Sequence, residues 1–217
     1  MSPLPIIISA GQLKLHASLG IPEHARGLII FAHGSGSGRF SPRNNYVADA
    51  LREAGFATLL LDLLTQEEEQ DRANVFNIGL LADRVRIAAE WSRQQPGLNR
   101  LPIGLFGAST GAGAALLAAA QAPQFIAGVV SRGGRPDLAG AALHLVAAPT
   151  LLLVGSLDGP VIGMNEEALA KLDCQKALLI VPGAGHLFEE PGTLDQVVNH
   201  AIRWFNAYLK TPQGADT

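Results

Sequence analysis

The segment from residue 101 to residue 120 constrains the fold of this chain more than any other. It begins with an apolar run typical of a buried strand, turns at Gly107-Ala108-Ser109-Thr110-Gly111, and continues as an alanine-rich stretch typical of a helix. A turn this tight requires small residues on both sides of the central serine. The sequence therefore predicts that the Ser109 hydroxyl projects from the carboxyl end of a strand, beside the free N–H groups of a helix start.

Apolar runs and helical patterns alternate along the rest of the chain, which is typical of a parallel sheet covered by helices on both faces. Strands are expected near residues 5–9, 12–19, 27–33, 57–63, 101–106, 126–131, 149–155 and 176–181, the first two as an antiparallel hairpin. Helices are expected near residues 44–55, 77–95, 110–122, 165–172 and 193–210, while segment 137–147 is either a short helix or a loop. The predicted class is α/β, with a mostly parallel central sheet.

Two polar residues follow apolar strands downstream of Ser109. Asp158 comes after the strand near 149–155, and His186 lies in a glycine-rich loop after the strand near 176–181. The chain order Ser, Asp, His supplies a nucleophile, an orienting acid and a base whose pKa lies near neutrality. The alternatives are an Asp158 that only shapes a turn and a metal-binding His186, although no second ligand at metal spacing accompanies His186.

A glycine-rich loop, His33–Gly38, follows the strand near 27–33. In this context the backbone N–H groups of Ser35 and Thr110 are the candidate donors to an oxyanion. The alternative, a phosphate-binding loop, lacks the Gly-Lys-Ser/Thr ending of a P-loop and a G-x-G-x-x-G fingerprint in good context. Because the carboxyl ends of parallel strands share one edge of a sheet, this loop, the serine turn, Asp158 and His186 are expected to meet there.

Together these four motifs resemble the α/β-hydrolase superfamily over residues 25–210. The small size and the short connection between the strands near 126–131 and 149–155 resemble its dienelactone hydrolase-related branch, without a large cap. The resemblance implies one α/β-hydrolase domain at residues 1–210 and a flexible tail at 211–217.

The nucleophile departs from the pattern of that branch. Dienelactone hydrolases use a cysteine, whereas this chain has Ser109 and carries its one cysteine, Cys174, on a different segment. The resemblance then implies a carboxylesterase-type serine hydrolase that needs no metal or organic cofactor and acts on small, soluble carboxylic esters. The alternatives are a lactone or thioester hydrolase of dienelactone hydrolase type with an anionic substrate, and a non-catalytic binding protein on the same fold.

Two arginine-bearing segments, 38–44 and 131–137, follow strands at the expected site edge. A guanidinium group binds carboxylate or phosphate through two hydrogen bonds, which favours an anionic substrate. The alternative is structural, with Arg132 or Arg135 paired to Asp137 or to the acidic run 67–69. Segment 62–77 is expected to be mostly a solvated loop that also forms a pocket wall. The candidate substrate-binding residues are Arg39, Arg43, Arg132, Phe40 and Leu187, with Phe76 as a further apolar wall residue.

The composition limits which binding partners and which cellular compartment are expected for this chain. With 48% hydrophobic and 16% charged residues and a net charge of −3, the chain has a globular composition and no general attraction to nucleic acid. A single cysteine excludes an internal disulfide and fits a reducing compartment. The start of the chain does not have the pattern of a signal peptide, and no apolar run has the length of a membrane span. We expect a cytoplasmic protein without nucleic-acid or membrane partners, either a monomer or a homodimer.

Overall fold

The apolar runs form one central sheet in the computed structural model, which describes residues 3–210. The strands are β1 (Leu4–Ala10), β2 (Leu13–Gly20), β3 (Leu28–Ala32), β4 (Ala57–Leu61), β5 (Ile103–Ala108), β6 (Ile126–Arg132), β7 (Thr150–Gly155) and β8 (Lys176–Val181). Their order across the sheet is β1-β2-β4-β3-β5-β6-β7-β8. β2 is antiparallel to β1 and β4, and the other neighbours are parallel, so the predicted α/β class is confirmed. The expected tail at 211–217 lies outside the described residues.

The helices flank this sheet. They are α1 (Pro42–Glu53), α2 (Arg72–Val75), α3 (Ile78–Ser92), α4 (Thr110–Gln121), α5 (Gly159–Lys171) and α6 (Thr193–Tyr208), with 3₁₀ segments at Glu68–Gln70 and Pro136–Leu145. The expected start of α5 near residue 165 was wrong, because Pro160 is tolerated in the first turn of a helix. Segment 137–147 is helical of the 3₁₀ type and kinks at Gly140, where φ is 55°.

Segment 62–77 is more ordered than a solvated loop. Its first part is buried, with Leu63 at 0% and Leu64 at 5% exposure. Its acidic run is anchored at one point, because Glu68 accepts a hydrogen bond of 2.6 Å from Arg84 on α3. The expectation of a mostly solvated loop therefore holds only for the outer side chains.

Two apolar layers fill the space between the sheet and the helices. One layer contains Leu81 and Val85 of α3 and Ala115 of α4, and the other contains Leu51 of α1 and Phe205 of α6. Parallel strands covered on both faces leave only the strand ends open to solvent. The carboxyl edge of the sheet is therefore the place where polar side chains converge.

Candidate active site

Ser109 occupies a strained turn between β5 and α4. Its φ is 51° and its ψ is −124°, a region that residues with a Cβ avoid. The flanking glycines are sterically required. A Cβ on Gly107 would lie 2.4 Å from the Ala112 Cα, and one on Gly111 would lie 2.1 Å from the Ala32 carbonyl oxygen. The tight turn predicted from the sequence is therefore present, and its strain is held by close backbone packing.

The backbone of Ser109 is also held by the loop after β6. Its N–H donates to the carbonyl of Arg132 at 3.3 Å, and its carbonyl accepts from the N–H of Arg135 at 3.0 Å. A backbone in a rare conformation persists only where its surroundings fix it. The loop 132–135 supplies two of those restraints.

His186 lies between Asp158 and Ser109. Its Nδ1 is 2.6 Å from Asp158 Oδ2, and its Nε2 is 3.4 Å from Ser109 Oγ. The carboxylate side chain is 12% exposed and the imidazole is 37% exposed. With the Nδ1–H donating to Asp158, the Nε2 lone pair faces the serine hydroxyl, which is the orientation of a base beside a nucleophile. The structure thus brings together the three residues that chain order suggested.

The loop that carries His186 is closed by Glu190, which is not among the site residues predicted from the sequence. Its Oε2 accepts a hydrogen bond of 3.0 Å from the N–H of Gly185, and this bond is the main cause that holds the pKa of Glu190 below its usual value. Phe188 in the same loop has a φ of 56° and a buried ring. The sequence signal that could have indicated this role of Glu190 is a carboxylate four residues after a histidine in a glycine-rich loop.

Ser35 and Thr110 are in contact beside the serine turn. The N–H of Ser35 donates to Thr110 Oγ1 at 3.0 Å, and Thr110 is the first residue of α4. A backbone N–H in the first turn of a helix has no intrahelical acceptor. The predicted donor pair is therefore assembled, but the N–H of Ser35 is engaged by the threonine hydroxyl.

His33 ties this loop to the segment after β4. Its Nε2 accepts from the N–H of Leu63 at 3.0 Å, so its Nδ1–H donates to the carbonyl of Gly34, also at 3.0 Å. Burial is the main cause that lowers the pKa of His33 from 6.5. The sequence indicated only the loop and gave no signal for this second contact.

Two of the candidate arginines are ion-paired. Asp62 accepts from the Arg39 guanidinium and, at 2.7 Å, from the Arg39 N–H. Arg43 contacts Glu189 at 2.6 Å. Arg39 and Arg43 therefore have structural partners. The structural alternative is confirmed for Arg135, which pairs with Asp137 at 2.7 Å.

Arg132 is different because it is buried without a carboxylate. It is 7% exposed and donates to Asn44 Oδ1 at 3.3 Å and to the Leu187 carbonyl at 3.4 Å. Within residues 3–210 no carboxylate lies at ion-pair distance from its guanidinium. Burial, with a smaller contribution from nearby Arg43, lowers the pKa of Arg132 to about 10.

A cavity of about 1180 Å³ opens beside the loop 33–43. Its lining includes Phe40, Arg39 and Arg43 from that loop, and it continues onto segment 62–77. Segment 62–77 thus forms a pocket wall, as expected. Phe76 and Leu187 do not line this cavity. Phe76 is therefore not one of its wall residues, and Leu187 stays a prediction as a substrate-binding residue. Phe76 is half exposed and packs with Arg72, and Leu187 follows His186 on the far side of the site.

The described part of the chain has neither a metal-binding cluster nor a membrane-spanning helix. No group of three or more His, Cys, Asp or Glu side chains there is arranged to hold a metal ion. Among residues 3–210 there is also no helix long and apolar enough to cross a membrane.

Comparison with known proteins is consistent with this geometry. A family model described as the dienelactone hydrolase family matches residues 15–210. The crystal structure of a dienelactone hydrolase from Anabaena variabilis is 54% identical, covers 97% of this chain and 100% of that chain, and superposes with a TM-score of 0.92.

Two curated proteins from strains of Mycobacterium tuberculosis are each 55% identical over 205 residues. Both carry the name "Putative phosphoribosyl transferase". The match covers 94% of this chain but only 46% of each relative, so the chain spans slightly less than half of their length.

Distant structures share the fold alone. Est1E from Butyrivibrio proteoclasticus is 17% identical with a TM-score of 0.78, covering 94% of this chain and 97% of that chain. The α/β hydrolase GrgF from a Penicillium species is 14% identical with a TM-score of 0.83, covering 96% of this chain and 99% of that chain.

Proposed function

Because this chain belongs to the dienelactone hydrolase family, we propose that it is a serine-dependent hydrolase that cleaves small carboxylic esters through an acyl-enzyme intermediate. The observation that carries the proposal is the continuous contact from Asp158 through His186 to the Ser109 hydroxyl. A serine in this setting is activated by the adjacent base, and the base is oriented by the carboxylate.

In the proposed reaction Ser109 Oγ attacks the ester carbonyl carbon while its proton passes to His186 Nε2. Asp158 accepts the Nδ1–H and stabilises the imidazolium. The oxygen of the tetrahedral intermediate takes hydrogen bonds from the N–H groups of Thr110 and Ser35, the latter shared with or released from the threonine hydroxyl.

Collapse of this intermediate breaks the bond to the alcohol. The alcohol leaves with the proton from His186, and Ser109 keeps the acyl group. Water then gives its proton to His186 and attacks the acyl carbon, and a second collapse releases the acid and restores the serine hydroxyl. Atoms and protons balance over the two halves without a further reactant.

Arg132 favours a second candidate, the hydrolysis of lactones or thioesters that carry an anionic group. A buried guanidinium without a carboxylate partner is costly, and a substrate anion would offset that cost. The name of the Mycobacterium relatives adds no activity to either candidate, because this chain matches 46% of their length.

The test is hydrolysis of p-nitrophenyl butyrate by wild type and by Ser109→Ala, with Ser9→Ala on the exposed side of β1 as the control. We expect Ser109→Ala to lose at least about a thousandfold in kcat and Ser9→Ala to retain wild-type kinetics. Intact-mass measurement after treatment with an alkyl phosphonate should show one adduct, absent in Ser109→Ala. Equal rates in wild type and Ser109→Ala would refute the proposal, and an absence of turnover on every ester and lactone tried would favour a non-catalytic binding protein.

A further inference from the structure

The large cavity and the histidine lie on opposite sides of Ser109. The cavity is lined by β2, by the loop after β3 and by the segment after β4, whereas Asp158 and His186 follow β7 and β8. In the sheet order, β5 and its serine lie between these two groups of strands. The cavity adjoins the site, because Gly34 lines the cavity and a Cβ on Gly34 would lie 3.0 Å from Ser109 Cβ.

This arrangement indicates which half of an ester faces the cavity. The leaving alcohol receives its proton from His186, so the alcohol oxygen faces the histidine. The carbonyl oxygen faces the N–H groups of Ser35 and Thr110. The remaining substituent on the carbonyl carbon, the acyl group, is then directed away from His186 and toward the loops after β3 and β4.

The cavity lining is mixed, and four apolar side chains form part of it. Leu64 and Leu81 are buried there, and Leu13 and Val75 are half-buried. Phe40 lies against the Arg39 guanidinium, 4.2 Å from it, and its side chain is 74% exposed. Cavities of about 300–1,000 Å³ hold drug-sized ligands, so a volume of about 1180 Å³ far exceeds the needs of an acetyl group.

The charged residues that line the cavity do not favour a substrate carboxylate inside it. Arg39 is neutralised by Asp62, and Arg43 by Glu189. The exposed carboxylates Glu67 and Glu69 add negative charge to the lining, with Lys14 as an exposed cation. The walls therefore match an acyl group with an apolar body and a neutral polar end.

We propose that this cavity is an acyl-binding pocket for medium-chain or aromatic acyl groups, with the apolar body against Leu13, Leu64, Val75 and Leu81. This inference rests on the proposed serine hydrolase function, because it uses the orientation of an ester on Ser109. Each methylene that enters the pocket contributes about threefold to fourfold in kcat/KM, the equivalent of its transfer out of water.

The experiment varies the acyl chain while the alcohol stays constant. Acetate, butyrate, hexanoate and octanoate esters of p-nitrophenol are compared in wild type, Val75→Trp, Leu13→Trp and Phe76→Trp. Phe76 is the matched control, since it follows Val75 in the chain but does not line the cavity. Circular dichroism and Tm identify any variant that fails to fold. The two cavity variants lie on different elements, so that the test can be completed with one of them if the other does not fold.

We expect kcat/KM of wild type to rise from acetate to hexanoate or octanoate. Val75→Trp and Leu13→Trp should lower the ratio of octanoate to acetate kcat/KM at least about tenfold, because indole fills space that two or more methylenes require. Phe76→Trp should leave the ratio unchanged. A wild-type rate that falls steadily with chain length, or a folded cavity variant with an unchanged ratio, would overturn the acyl pocket. Failure of the proposed function is distinct, since acetate hydrolysis would then persist in Ser109→Ala.

Discussion

Asn165 of α5 donates a hydrogen bond of 3.0 Å from its buried side-chain amide to the carbonyl of Gly134. Gly134 belongs to the loop that bonds both the N–H and the carbonyl of Ser109. Helix α5 begins directly after Asp158. The bond therefore connects the helix at the acid to the loop at the nucleophile.

Replacement of Asn165 by leucine, which has the same branched shape but no hydrogen-bonding group, tests this connection. We expect a loss of about 1–3 kcal/mol in the free energy of unfolding, because the Gly134 carbonyl loses a buried donor, and a lower kcat with little change in KM. Denaturant unfolding and steady-state kinetics are the measurements. Asn206→Leu, at an exposed position of α6, is the control. Equal behaviour of the two variants would show that the bond does not position the loop.

Thr110 offers a test of the oxyanion donors. Thr110→Ser keeps the hydroxyl that accepts from the Ser35 N–H, whereas Thr110→Val keeps the shape and removes the acceptor. We expect Thr110→Val to lower kcat/KM up to about tenfold, because the loop that presents the Ser35 N–H loses an anchor. Thr110→Ser should stay close to wild type. If both variants match wild type on butyrate and hexanoate esters, the threonine hydroxyl has no role in holding the loop.

Because His33 is buried, we expect the stability of the fold to depend on pH. Burial lowers its pKa from 6.5, so below that pH the unfolded chain takes up a proton that the folded state does not. The folded state then binds fewer protons, and the free energy of unfolding falls as pH falls, by up to about 1.4 kcal/mol per pH unit until the folded pKa is reached. His33→Asn should show a flatter dependence as pH falls below about 7.

The control for this measurement is His24→Asn, because His24 has an exposed side chain. Denaturant midpoints and slopes across the pH series give the free energies. Parallel pH curves for wild type and His33→Asn would contradict the assignment.

Glu190 predicts a kinetic effect without contact with the reacting atoms. Its carboxylate holds the N–H of Gly185, next to His186. We expect Glu190→Ala to reduce kcat about twofold to tenfold with little change in KM, because the imidazole samples more orientations. Glu189→Ala is the comparison, since that carboxylate binds Arg43 instead. A larger loss in Glu189→Ala than in Glu190→Ala would reverse the assignment.

Glu190 also makes a pH-dependent contribution to the stability of the fold. Its pKa is lowered in the folded state, so its contribution is present above the pKa of the unfolded chain and is lost as pH falls through the folded pKa. Below that range Glu190→Ala and wild type should converge in stability, and thermal unfolding at two pH values measures this.

The sequence was sufficient for the elements that depend on local pattern. The apolar runs placed all eight strands within a few residues, and the flanking glycines identified the turn at Ser109. Asp158 and His186 follow from topology, because parallel strands bring their carboxyl ends to one edge. The chain order Ser, Asp, His then leaves few residues as candidates for the acid and the base.

The remaining features depend on contacts between segments distant in the chain. Asn165 and Gly134 are 31 positions apart, and His33 and Leu63 are 30 apart. Nothing in the pattern around Asn165 distinguishes it from a solvent-facing residue of a helix. The volume beside Phe40 arises where β2, the loop after β3 and segment 62–77 meet, and no single motif encodes that space.

The position of β5 between the cavity and the histidine loop places two sets of loops on opposite sides of the nucleophile. Segments 33–43 and 62–77 border one side of Ser109, and the loops after β7 and β8 border the other. A change of length or sequence on one side that spares the Arg43–Glu189 ion pair leaves the groups on the other side in place. Evolution can then change the preference for the acid half of a substrate separately from the preference for its alcohol half, while the nucleophile stays the same.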